Sequence, residues 1–288
     1  MRYSHLGLAV RSLSFCGVIL VLATSSYAQT LGPGGINAGG MGGEAQSVAG
    51  QEQDMRALVD AQRQNNEDPL ETAAYKDFYN ASEPAKKIQL GTKFLQKYPK
   101  SYLDEPVDVG LLDAYYAQRD WKNVYAMADN ALNLKPDDVY VLTTVGWLIP
   151  HVYSPSDPDA GKLLDRAEQY SKYAIDVIPK MPKPAHMDDK QFAAMKDQTT
   201  RKAESALGLV YFRRNYYDLS AKELQDATTG LATPDQTDLF ILAMDLDNLK
   251  RPSDAVAVYN HCAQMTGPFQ DRCKQAADAV KSEAAPSK

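Results

Sequence analysis

From about residue 68 to the end of the chain, apolar residues recur at spacings of three and four, and β-branched alternation is almost absent. That period predicts helices buried along one face, and no stretch carries the period of two that a half-buried strand needs. Prolines punctuate the run at Pro99, Pro136, Pro155 and Pro158, Pro179 to Pro184, Pro234, Pro252 and Pro268. A proline has no amide proton and its ring collides with the preceding turn, so these positions divide the run into helices of ordinary length. The pattern predicts helical hairpins over about 70–99, 105–136, 139–180, 187–232 and 236–267, then a last amphipathic helix over 270–283 that caps the open end. Residues 187–213 read as one long helix whose start, near Asp188 and Asp189, places acids at the positive end of its dipole.

The hairpins resemble one another. Leu112 and Tyr115 are followed by Val124, Ala131 and Pro136. The same frame returns as Leu207-Gly208, Tyr211, Ser220, Leu224, Ala227 and Pro234, and again as Leu242-Ala243, Leu246, Ala255, Tyr259, Cys262 and Pro268. A fourth copy starts at Val145-Gly146 and Ile149. Its second half, Ala167, Ala174 and Pro179, is displaced by a longer turn over 153–159. Each position has a reason. A small residue in the first helix lets the second approach, a large one a turn later fills the gap, and proline closes the unit.

This frame resembles the tetratricopeptide repeat, W-x2-L-G-x2-Y followed by A-x3-F and then A and P. The leading aromatic is replaced by Asp108, Leu142, Glu204 and Leu239, and the second-helix aromatic survives only as Tyr259, so the copies are degenerate. Upstream, Phe94-Leu95-x-x-Tyr98-Pro99-x-Ser101 resembles repeats of bacterial envelope proteins. The resemblance implies an all-α superhelical array of helix-turn-helix repeats with a C-terminal capping helix. It also implies that the first helices line a concave groove which takes a peptide or a partner protein. Carried onto this sequence, the groove positions are Val109, Asp113 and Tyr116, then Tyr140, Thr143, Trp147 and His151, then Ser205, Leu209, Phe212 and Arg213, and last Phe240, Met244, Asp247 and Asn248. An equally weighted reading packs these side chains against neighbouring helices. The lysines with which some relatives clamp a carboxylate are not evident here, so a chaperone-tail clamp is disfavoured. The alternative function is a structural subunit of an envelope assembly, contacting its partners through repeat edges and the cap.

The N-terminus carries a different pattern. Arg2 and Arg11 precede an apolar stretch through Phe15 and Leu22, which ends in Ser26-Tyr27-Ala28. Basic residues, a short apolar core and a small-x-small end predict a secretory signal over 1–28, cut at about Ala28/Gln29. The core is about half the ~20 residues a membrane span requires, so no transmembrane span is expected after cleavage. Lipidation at Cys16 is disfavoured because bulky Phe15 precedes it and the apolar core runs past it. Residues 29–67 begin with a glycine-rich stretch lacking the strand and helix that frame a phosphate loop, and read as a flexible tether. The expected location is the periplasm or the exterior.

Composition narrows the function classes. The 288 residues carry a net charge of −6. Loss of Arg2 and Arg11 with the signal would make that −8. No basic cluster interrupts the acidity, so nucleic acid is not an expected partner. Cys262 and Cys273 are the two cysteines beyond the signal and form a disulfide candidate in an oxidising compartment. His151, His186 and His261 share no metal-ligand spacing, and the acid pairs Asp137-Asp138 and Asp188-Asp189 suit helix starts better than acid–base chemistry. No catalytic motif is present, so neither enzymatic activity nor a cofactor is expected.

Overall fold

The computed structural model describes residues 68–284, so the expected signal over 1–28 and tether over 29–67 lie outside the described residues. Among the described residues eleven α-helices follow one another: α1 (Pro69–Tyr79), α2 (Pro84–Lys97), α3 (Asp104–Ala117), α4 (Trp121–Leu134), α5 (Val139–Val152), α6 (Ala160–Val177), α7 (Asp189–Arg213), α8 (Tyr217–Thr228), α9 (Gln236–Asn248), α10 (Pro252–Gln264) and α11 (Gln270–Ala284). A 3-10 turn, Ile178–Lys180, follows α6. There is no strand among the described residues.

Each helix packs against the next, and α1–α3, α5–α7, α7–α9 and α9–α11 pack as well. The odd-numbered helices therefore form one layer and the even-numbered helices the other. Aspartates start many of the helices. Asp68, Asp120, Asp138 and Asp235 accept backbone N–H bonds at the starts of α1, α4, α5 and α9. Asp188 and Gln191 form a reciprocal capping box on α7. These bonds satisfy amides that a helix start leaves without partners.

Three of the hairpin turns are built alike. Arg119, Asn215 and Lys250 each follow a first helix with positive φ, at 58°, 61° and 60°. One residue on, the amides of Asp120, Tyr216 and Arg251 donate back to the carbonyls of Tyr115, Tyr211 and Leu246. This is the Schellman arrangement, here without the usual glycine. The α5–α6 connection lacks it. Pro150 lies inside the last turn of α5, and the longer segment through Pro155 and Pro158 completes the link.

The small residues of the repeat frame sit at the closest approaches. A Cβ on Gly146 would stand 2.7 Å from Ser171 Oγ, and one on Gly208 would stand 2.5 Å from Leu224 Cγ. One core joins Leu112, Val124, Ala128 and Ala131 of α3 and α4 to Val141, Val145, Leu148 and Ile149 of α5. A second core gathers Tyr75, Phe78, Phe94, Leu103, Val107 and Leu111 at the N-terminal end.

Two acids of α9 are buried. Asp238 accepts from Ser205 Oγ at 2.8 Å, and burial holds its pKa well above the usual carboxylate range. Asp245 is pushed up to about 8, chiefly by burial. Ser220 Oγ lies 2.6 Å from Asp245 Oδ2 and 2.8 Å from the Gly208 carbonyl. A hydroxyl has one proton and two acceptors face it here, so a neutral Asp245 supplies the proton the second contact requires.

Candidate functional site

The odd-helix layer gathers polar and aromatic side chains around the middle of the array. Tyr140, at the start of α5, donates to Asp113 Oδ1 of α3 at 2.5 Å and so bridges these two first helices. Tyr140 keeps 42 % of its surface exposed, and Asp113 is exposed too. Burial is nevertheless the largest influence on both. It raises the Asp113 carboxyl against the opposing pull of Tyr140, Lys87 and Lys202, and it raises the Tyr140 phenol with help from the Asp113 charge. Tyr116 joins the same set: burial, and then Asp113, raise its phenol, and its ring meets Trp121 edge-on at 5.7 Å.

Further along α5, the rings of Trp147 and His151 stack with centroids 3.7 Å apart, and both residues are half-buried. His151 Nδ1 lies 2.7 Å from the Trp147 carbonyl, which can only accept. The neutral ring therefore carries its proton on Nδ1 and keeps Nε2 as an acceptor. Burial pushes the His151 pKa down to about 4, with Asp235 raising it and Arg213 and Lys202 lowering it. Lys202 of α7 reaches this stretch. Its ammonium donates to Thr144 Oγ1 at 3.2 Å and sits 6.0 Å from the centre of the Trp147 ring. Burial pulls its pKa down to about 8 against the attraction of Asp113.

The expected groove residues thus separate. Tyr116, Tyr140, Trp147 and His151 come together on one face. Arg213 stands at its edge, donating through Nε and Nη2 to the Pro150 carbonyl at 3.3 and 3.2 Å while its guanidinium covers Tyr153. It closes the C-terminal end of α5, where proline disturbs the helix. Phe212 is directed to Tyr217 of its own hairpin at 6.3 Å. Phe240 packs between Tyr259 of α10 and Phe269 beside the cap, at 5.7 and 5.2 Å, away from the aromatic set. The carried-over register also puts Thr143, Ser205 and Leu209 in the groove, and all three are buried between helices instead. Lys202 and Thr144 are absent from that register. Lys202 precedes Ser205 by three and Leu209 by seven, a spacing that puts it on the same side of α7. Lys202 stands six residues before Gly208 as Tyr140 stands six before Gly146, so the frame itself reaches this position.

Cys262 and Cys273 are disulfide-bonded with Cα atoms 5.9 Å apart, tying α10 to α11. Among the described residues no group of His, Cys, Asp or Glu side chains could hold a metal ion. No helix among them is long and apolar enough to cross a membrane.

The paired layers, the repeated turns and the small-residue contacts define a tetratricopeptide-like helical repeat protein. No protein-family model matches the chain, and neither does any curated protein sequence. Among solved structures it is similar to a thermophilic TPR protein of Thermus thermophilus, with 13 % identity over 74 % of this chain and 99 % of that one and a TM-score of 0.44. The repeat fold rests on the packing described above and not on that likeness.

Proposed function

We propose that this protein is an exported, non-enzymatic scaffold that takes a peptide or an envelope partner on the recessed face of its first helices. One observation carries the reading: Tyr116, Tyr140, Trp147 and His151 gather on a single face in a partly covered state. Half-buried aromatic side chains still have apolar surface to give up, and residues of this type dominate binding energy at protein interfaces. A helical repeat fold is suited to such recognition because its layers present an extended surface. Fold alone does not assign a partner. The basic, apolar and small-x-small pattern over 1–28, together with the Cys262–Cys273 disulfide, supports an oxidising destination in the periplasm or outside the cell.

Cross-linking in cells, followed by identification of the captured protein, tests this directly. Trp147→Ala is expected to weaken that interaction by about tenfold or more, while circular dichroism and the melting temperature stay unchanged. A fall in helicity and melting temperature would make Trp147 a packing residue and remove it from the site. A second reading, a structural subunit joined through repeat edges, draws on the exposed Leu70 of α1, 65 % accessible at the N-terminal end. It predicts that removing α11 abolishes capture while Trp147→Ala does nothing.

A further inference from the structure

Helix α9 meets the α7–α8 hairpin through two acids. Asp238 and Asp245 stand seven residues apart, two turns of the helix, and so share one face of α9. Each reaches a serine of the hairpin. Ser205 Oγ of α7 lies 2.8 Å from Asp238 Oδ1, and Ser220 Oγ of α8 lies 2.6 Å from Asp245 Oδ2. Both acids are buried, and no cation acts on either. Ser220 has one proton to offer Asp245 and the Gly208 carbonyl, 2.8 Å away, and Asp245 Oδ1 has no hydrogen-bond partner. A neutral acid fits both facts. Its Oδ2–H donates to Ser220 Oγ, Ser220 donates to the Gly208 carbonyl, and Oδ1 stays an uncharged carbonyl oxygen, far cheaper to bury than a carboxylate.

We infer that α9 docks on the α7–α8 hairpin through two protonated carboxyls, so that closing this joint takes up protons and the C-terminal unit α9 to α11 is held more tightly in acid than in alkali. Gln236 ties α9 to the α10–α11 turn, and the Cys262–Cys273 disulfide ties α10 to α11, so the three helices stay together when the joint opens. The effector is the proton itself, and the element it biases is a whole end of the array.

The sign follows from the two states of each acid. A solvated aspartate ionises near about pH 4. Burial holds docked Asp245 at about 8, and burial followed by the repulsion of Asp235 holds docked Asp238 well above the usual carboxylate range. Undocking therefore releases a proton from each acid between about pH 4 and the docked value, and the joint weakens as the pH rises through that window. Above it both states are ionised and the loss stops. The other groups near the joint come from four helices. Asp235 caps α9 beside Asp238, and His151 of α5, held down at about 4 chiefly by burial, faces that cap. The Tyr259 phenol of α10 faces Asp245 and is pushed upward, by burial and then by Asp247 and Asp245. Glu204 of α7, next to Ser205, is raised by burial and faces Asp226, Glu223, Arg201 and Asp197 rather than α9.

Hydrogen exchange on the full chain between about pH 5 and 7 tests the joint, in the regime where exchange follows the opening equilibrium and after correction for the intrinsic rate of each amide. The opening constant of α9 to α11 should rise by about tenfold per pH unit for each acid that ionises on opening, and so by about a hundredfold for the pair. Asp238→Asn and Asp245→Asn keep a donor toward the serine and remove the titration. Each should cut the rise to about tenfold per unit, and the double variant should abolish it, with circular dichroism at pH 5 unchanged. At pH 7 the infrared band of a protonated carboxyl should appear in the wild type and weaken in each variant. A wild-type rise of tenfold per unit or less would overturn the two-carboxyl joint, and this is read on the unaltered chain whether or not a variant folds. A steep rise that survives in both asparagine variants would overturn it as well, by placing the titrating groups elsewhere.

Discussion

At the C-terminal end of the array Gln236 is buried. Its Nε2 donates to the carbonyls of Cys262 and Met265 at 3.2 and 2.8 Å, and its Oε1 accepts from the Phe269 amide at 3.3 Å. A Cβ on Gly267 would come within 2.1 Å of that oxygen, so the turn closes over the amide only because the residue there is glycine. The disulfide lies alongside, and α11 turns Cys273, Ala277 and Val280 inward and an almost wholly polar face outward. At the other end, no comparable cover lies over α1 among the described residues. Phe78 fills a slot between Gly91 and Gly110, where added Cβ atoms would meet its ring at 2.8 and 2.6 Å, but Leu70 stays exposed. One end is held by a covalent bond and a satisfied buried polar group, the other by an apolar core in which the Phe78 ring fits between two glycines. The difference shows two ways of holding a terminal hairpin, each vulnerable to a different change.

Three substitutions sharpen the contrast. Phe78→Ala should have the largest effect, about 3–5 kcal/mol, because the two glycines cannot fill the vacated space. Hydrogen exchange should accelerate in α1, α2 and α3 and leave α9 to α11 protected; uniform acceleration would mean that the ends are not independent. Replacing both Cys262 and Cys273 with Ser should cost about 2–3 kcal/mol, the stabilisation a disulfide closing so short a loop contributes. The loss should be read in α10 and α11. An unchanged urea midpoint would assign the closure to Gln236 alone. Lys250→Gly should add about 1 kcal/mol by relieving the positive φ at the α9–α10 turn, and a drop in melting temperature would show that the lysine side chain holds that turn.

Much of the fold is legible in the sequence because its rules are steric. Gly146 and Gly208 stand where helices meet most closely, and the Schellman carbonyls belong to Tyr115, Tyr211 and Leu246, the very residues that mark the repeat frame. The turns themselves are less legible, since Arg119, Asn215 and Lys250 adopt a conformation that glycine usually announces. Pro150 is similar: it sits in the last turn of a helix, and its own carbonyl is taken up by Arg213, distant in sequence. The candidate site is legible only in part. A register assigns a side of a helix but not the rotation that hides Thr143, Ser205 and Leu209 and directs Phe240 to the cap. The frame reaches Lys202, the counterpart of Tyr140, but its setting comes from Thr144 and Trp147 of another helix, which its own neighbours in sequence do not announce.

The long helix α7 packs against α5 and α6 on one side and α8 and α9 on the other. Repeat arrays commonly unfold by fraying, one link after another, because each unit leans only on its nearest neighbours. A helix shared by three successive hairpins breaks that independence. The two ends can open locally while the middle persists, whereas loss of α7 removes support from both sides at once. The central hairpins are therefore expected to open as a single cooperative unit, and Tyr140, Trp147 and His151 of α5 to keep their setting through motions that already melt the ends.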